Sequence, residues 1–202
     1  MGIVFGKTGV AEPPFEVLAV RPGYEVRSYG PRIAVSTPCD LDNSSFTALA
    51  SYIGVMKSPQ NEDSKSISMT APVVKKDDGK GETMSFILPA EYDDIGKVPK
   101  PTNEDVSVVE LPPQYGAVVR FPGRCKPSDS SSRYSSLLSS LSDDGVEAGE
   151  AKWELWQYNP PFTIPWLRRN EVFVELTKEQ AEGIKGKEEV GGGGLEKGKG
   201  RS

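Results

Sequence analysis

One pattern limits the folds open to this chain more than any other: the same order of short elements occurs twice. In the first half, GYEVRSYGPRIAVSTP (23–38) alternates apolar and polar residues on either side of Gly30-Pro31, and NSSFTALASYIG (43–54) follows. SMTAPVV (68–74) and MSFILP (84–89) come next. In the second half, VSVVELPPQYGAVVRFPG (106–123) breaks at Pro112-Pro113. SSRYSSLLSSLSDDG (131–145), KWELWQY (152–158) and EVFVEL (171–176) complete it. A period of two marks strands. Phe46, Leu49, Ala50 and Ile53, and later Tyr134, Leu137, Leu138 and Leu141, recur at i, i+3, i+4 and i+7, the spacing of one helical face. Asn43 or Ser44 can cap the first helix and Gly54 can end it.

Each half therefore predicts strand-strand-helix-strand-strand, with GYEVRSYGPRIAVSTP read as a hairpin around the Gly30-Pro31 turn and the second half as two strands around Pro112-Pro113. The fold class expected is α+β, two antiparallel sheets with one helix each. Pairing the halves would close a single core as a distorted barrel. The halves share little sequence, so the repeat is one of structure. Polar 55–68, hairpin-like 75–82 and Pro-rich 91–105 read as connections. Residues 1–14 read as a flexible arm and 15–178 as one domain. From 179 to 202 the composition turns to Gly and charge, ending EGIKGKEEVGGGGLEKGKGRS, which predicts a disordered tail.

The most useful single count is the absence of histidine among 202 residues. It removes Ser-His-Asp and Cys-His nucleophile activation and the commonest haem axial ligand. Two cysteines, Cys39 and Cys125, lie far outside CxxC spacing and cannot build a thiolate metal cage. No phosphate-binding or hydrolase motif is present, and acid pairs such as Asp93-Asp94 and Asp143-Asp144 sit in turn-like contexts. No enzyme and no metal site are expected. A net charge of −5 argues against nucleic acid. No apolar run approaches the roughly 20 residues of a membrane span. The N-terminal MGIVFG lacks a signal-peptide pattern and places Gly6 where a myristoylation motif needs Ser or Thr, so the expected location is cytoplasmic.

YNPPFTIPWLRRNEV (158–172) remains. Three prolines forbid a regular helix or a central strand, so a stiff loop carries Phe162, Ile164, Trp166 and Leu167. Either these side chains cap the core, with Arg168 and Arg169 paired to acids such as Glu171, or they form one wall of an apolar ligand pocket, with the arginines at its rim. The apolar face of the first helix is open to the same two readings, core or pocket.

KSISMTAPVV (65–74), YNPPFTIPWLRRNEVFVEL (158–176) and PGYEVRSYGPRIAVSTP (22–38) resemble the SOUL haem-binding protein family, over roughly Phe15 to Leu176. The start MGIVFGKTGV is most similar to cytosolic plant members. The resemblance implies a distorted antiparallel β-barrel flanked by two α-helices, built from a duplicated unit. It implies binding of haem and other tetrapyrroles, with no catalysis. The shallow apolar cleft of the family would have two walls here. One is Phe46, Leu49, Ala50 and Ile53; the other is Phe162, Ile164, Trp166 and Leu167. Basic residues linked to the propionates in some animal members are replaced by Asn43 and Ser51, so Arg168 or Arg169 would have to substitute. Met69, Cys39, Cys125 and the tyrosines are formal iron ligands, but without histidine the expected mode is ring-face contact that also accepts metal-free porphyrin. The ligand would be a reversibly held haem or porphyrin, and the protein a carrier or buffer. The same loop could instead dock a partner protein or another amphiphilic small molecule.

Overall fold

A computed structural model describes residues 9–39, 44–77, 81–148 and 152–191. The elements in chain order are β1 (Phe15–Arg21), β2 (Tyr24–Tyr29), β3 (Arg32–Pro38), α1 (Ser44–Ile53), β4 (Val73–Asp77) and β5 (Glu82–Ile87). Then come β6 (Ser107–Leu111), β7 (Gln114–Phe121), α2 (Pro127–Asp143), β8 (Trp153–Gln157), β9 (Asn170–Leu176) and α3 (Lys178–Gly191). Both repeats form as read, and the nine strands make one curled antiparallel sheet, a half-barrel, in the order β1-β2-β7-β9-β8-β4-β5-β3-β6. The two sheets expected from the halves are one, because β4 pairs with β8 from Val73↔Gln157 to Lys76↔Glu154.

The strand order also corrects the hairpin expected around Gly30-Pro31. β2 pairs with β7 of the other half and β6 pairs with β3, so neither β2 with β3 nor β6 with β7 is a hairpin. Gly30-Pro31 and Pro112-Pro113 explain this: proline has no N–H to close a two-residue turn and holds the chain extended before it. Each half thus gives its first strand to the other, and the order reads as a palindrome about the β4–β8 seam. The edges are β1 and β6, so the barrel stays open.

Alternation along each strand divides the core by face. On one face, α2 and α3 cover Tyr24, Val26, Ala117, Val172 and Val174. α1 covers Ile33, Val35, Met84 and Phe86. The other face is the inside of the curl, filled by Tyr29, Trp156 and Phe173; Trp156 and Phe173 stack at 5.1 Å, and Tyr29 meets Trp156 edge-on at 5.1 Å. Gly116 admits this packing, since a Cβ there would lie 2.3 Å from the Phe173 ring.

α1 ends where its sequence says it should. Gly54 takes a φ of +82° and donates to the Ala50 carbonyl at 3.1 Å. Asn43, the alternative cap, lies outside the described residues. The 55–68 connection is polar yet pinned by buried Asn61, which donates to the carbonyls of Tyr52 (3.0 Å) and Lys65 (2.8 Å). Its neighbour KSISMTAPVV is structural as well: the Thr70 hydroxyl donates to the Ile87 carbonyl and the Ala71 N–H to the Ala11 carbonyl, with Ala71–Pro72 in cis.

The segment after 178 departs from the tail reading. α3 runs to Gly191, with Ala181 and Ile184 buried against the α2 side of the sheet. Thr177 and Gln180 cap it reciprocally: the Gln180 N–H donates to Thr177 Oγ1 at 3.2 Å and the Thr177 N–H to Gln180 Oε1 at 2.8 Å. Gly-rich composition argued against burial, but two apolar residues at i and i+3 behind a capping box were enough to dock a helix. Residues 1–8 of the arm and 192–202 of the tail lie outside the described residues.

Candidate functional site

β8 and β9 pair from Trp153↔Val174 to Gln157↔Asn170, so residues 158–169 protrude from one end of the sheet. Backbone bonds fold this loop tightly. The Thr163 N–H donates to Pro160 O at 3.0 Å, and Pro165–Leu167 forms one 3-10 turn in which Leu167 N–H reaches Ile164 O at 3.0 Å. The loop is tied to the β7–α2 connection by Gly123 N–H to Pro165 O, 2.9 Å. Asn170 reinforces the tie, donating to Gly123 O at 3.0 Å.

Arg168 acts inside the loop. Its Nε donates to Thr163 O at 2.9 Å and its Nη2 to Pro161 O. The outcome is an ordered loop whose largest apolar side chains face outward: Phe162 is 87% exposed, Trp166 73% and Ile164 46%. Leu167 is half-buried beneath them. Of the two readings of these residues, a cap on the core fails for Phe162 and Trp166, since a cap would bury them.

Arg169 points the other way, into a buried charge network. Its Nε meets Glu171 Oε1 at 2.9 Å, its Nη1 meets Glu12 Oε2 at 2.9 Å, and its guanidinium lies 3.6 Å from the Tyr158 ring centre. Glu171 has no exposed surface and also binds Arg27 Nη1 and the Tyr158 hydroxyl, at 2.9 and 2.8 Å. Burial by itself would raise the Glu171 carboxyl, but Arg27 and Arg169 outweigh it and hold it below the ordinary value. Burial, then the Glu171 charge, pushes the Tyr158 phenol well above its usual range, so it stays a donor. This network fixes where the loop leaves and re-enters the sheet. Glu171 was legible as a partner for the arginines. Arg27 was not singled out, although an arginine in the alternating strand YEVRSY signals an inward charge in need of an acid.

The wall expected on α1 is not an open surface. Leu49, Ala50 and Ile53 are at most 2% exposed and pack under α1 against β3 and β5. Phe46 is half-buried, edge-on to Phe86 at 5.3 Å. The α1 stripe is therefore core, because the sheet beneath it offers more apolar contact than an open cleft would. Ser51 is buried and lines an open cavity of about 690 Å³ of mixed character, together with Thr37, Pro38, Thr47, Ala48, Lys57 and Asn103. Among the described residues no group of three or more Cys, Asp or Glu side chains is arranged to hold a metal ion.

Solved structures share this architecture. The crystal structure of the EcmrR C-terminal domain aligns with a TM-score of 0.52 at 13% identity, covering 77% of this chain and 97% of that one. The crystal structure of a hydrolase from Listeria innocua aligns at 0.50 and 11%, covering 79% and 94%. At such identities the likeness is one of fold alone. No match is found among curated proteins. The family described as SOUL heme-binding protein matches residues 10–175, taking in every strand but the last residue of β9, the α1 and α2 helices, and the protruding loop. On that match, over most of its length, this chain belongs to the SOUL heme-binding protein family.

Proposed function

We propose that this chain binds haem or a metal-free porphyrin reversibly, as a carrier or buffer, with the ring face laid on Phe162, Ile164 and Trp166. Membership of a haem-binding family supports the ligand class. The observation that carries the site is the pre-ordered loop that holds Phe162 and Trp166 out in solvent. A loop backbone already held by proline and by Arg168 loses little entropy when a flat ligand arrives. Covering about 200 Å² of apolar surface at ~25 cal/mol per Å² contributes about 5 kcal/mol before the cost of association is met.

In this reading the apolar stripe of α1 serves the fold, and of Phe46, Leu49, Ala50 and Ile53 only Phe46 remains partly accessible. Arg168 is half-exposed at the loop and supplies charge for a propionate, whereas Arg169 is committed to Glu171 and Glu12. With no histidine in the chain, no imidazole reaches the iron. The grip is on the ring face, so metal-free porphyrin binds comparably.

Paired titrations test this, following the Soret band and tryptophan quenching with haemin and with protoporphyrin IX. Affinities within about tenfold of each other, a difference of ~1.4 kcal/mol, are expected. Haemin binding a hundredfold tighter would show that iron ligation matters, and binding of neither ring would refute the assignment. Trp166→Ala is expected to weaken both rings by about tenfold while stability stays within about 0.5 kcal/mol of the parent, as for an exposed side chain.

A further inference from the structure

The surroundings of the loop differ in charge from the rest of the molecule. The chain has 24 Lys and Arg against 29 Asp and Glu. Residues 120–133 and 158–170, joined by the Gly123–Pro165 and Asn170–Gly123 bonds, hold Arg120, Arg124, Lys126, Arg133, Arg168 and Arg169 against a single acid, Asp129. Arg169 is spent on Glu171 and Glu12, but Arg120, Arg124, Lys126 and Arg133 are exposed and Arg168 is half-exposed. Arg133 lies over the Phe121 ring at 5.6 Å, which brings the first turns of α2 to the same end. An acidic protein thus gathers basic residues at the end that carries Phe162 and Trp166, the two most exposed aromatic side chains among the described residues.

We propose that this end docks reversibly on an anionic phospholipid surface. Phe162 and Trp166 enter the boundary between headgroups and acyl chains, while Arg124, Lys126 and Arg168 face the phosphates. Peripheral binding of this kind needs both a small apolar insertion and a basic patch, since either alone is marginal. Trp is favoured at that depth because it is apolar with one N–H to satisfy. A protein partner fits less well. A stable protein interface covers about 1,000 Å² or more, whereas the apolar part here is three side chains at the tip of one loop. The inference uses the same loop as ring binding but does not depend on it.

The test uses the full chain without tetrapyrrole, mixed with vesicles of phosphatidylcholine alone or of phosphatidylcholine with phosphatidylserine. Sedimentation with the second only, a blue shift of tryptophan emission, and loss of binding in high salt are expected. Trp166→Phe should remove most of the emission shift, because Trp156 is already buried and Trp153 is half-buried and stacked on Tyr134 at 5.2 Å, away from the loop's exposed side chains. Arg124→Glu with Lys126→Glu should lower vesicle partitioning at least tenfold and leave porphyrin titration in vesicle-free buffer unchanged. The salt dependence of the unaltered chain keeps the test valid should that variant fold poorly. Equal sedimentation with both vesicle types, no sedimentation with either, or charge-reversed protein that partitions like the parent would overturn the proposal. Vesicle binding without porphyrin binding overturns the ring reading alone, and the reverse result overturns the docking alone.

Discussion

Glu171 shows how one buried charge can set the position of a functional loop. It is fully enclosed and accepts from Arg27, Arg169 and Tyr158. Removing it by Glu171→Ala takes away the buried acid that two guanidinium groups share, leaving Arg27 to Glu25 and Arg169 to Glu12, and a loss of ~3 kcal/mol in urea unfolding is expected. The pH dependence follows from the lowered carboxyl. Its contribution is complete above the unfolded carboxylate pKa and is lost as pH falls through the lower folded value. The urea midpoint should therefore drop between about pH 5 and about pH 3 in the parent, and drop less in Glu171→Gln. Gly116 is decided by space alone: a Cβ would meet the Phe173 ring at 2.3 Å and Val174 O at 2.8 Å. Gly116→Ala should cost ~1–3 kcal/mol, measured by the same unfolding curves. Neither cost could be read from sequence, because both come from atoms that only the sheet brings together.

Among the elements, α1 and α2 were legible from their apolar spacing: Leu49, Ala50, Ile53, Leu137 and Leu141 of the two stripes are buried, Phe46, Tyr134 and Leu138 are half-buried, and Tyr52 is buried off the stripe. α2 starts earlier than its stripe, at Pro127, where proline suits the first helical turn and Asp129 accepts from the Lys126 N–H at 3.0 Å. Its many serines are poor helix formers by propensity, yet Ser131, Ser135, Ser136 and Ser139 turn their hydroxyls back to carbonyls four residues earlier. α3 was hidden by composition and betrayed only by Thr177-x-x-Gln180. Thr177→Ala should cost ~1 kcal/mol. Heating monitored by helix signal should show a lower midpoint, and amide exchange should show Ala181 and Ile184 losing protection. The protruding loop is the opposite case. Its prolines announced stiffness in the sequence, while its outward aspect required the structure.

At the scale of the molecule, the exchange of β2 and β6 between halves makes each half depend on the other. A single unfolding transition is expected, with coincident curves from tryptophan emission and far-UV circular dichroism. Two separated transitions would show that the halves fold independently. By itself the sequence determined the two repeats, the helix faces, the stiffness of the loop, the lack of any imidazole and the family resemblance, all of which depend on neighbours along the chain. Only the tertiary structure decided that the halves trade strands, that the α1 stripe is core, that Arg169 turns inward while Phe162 and Trp166 turn out, and that basic residues from two distant segments gather at one end. Those outcomes depend on which surfaces bury most apolar area together and on where buried charges find partners, and neither is written in the spacing of residues along one strand or helix.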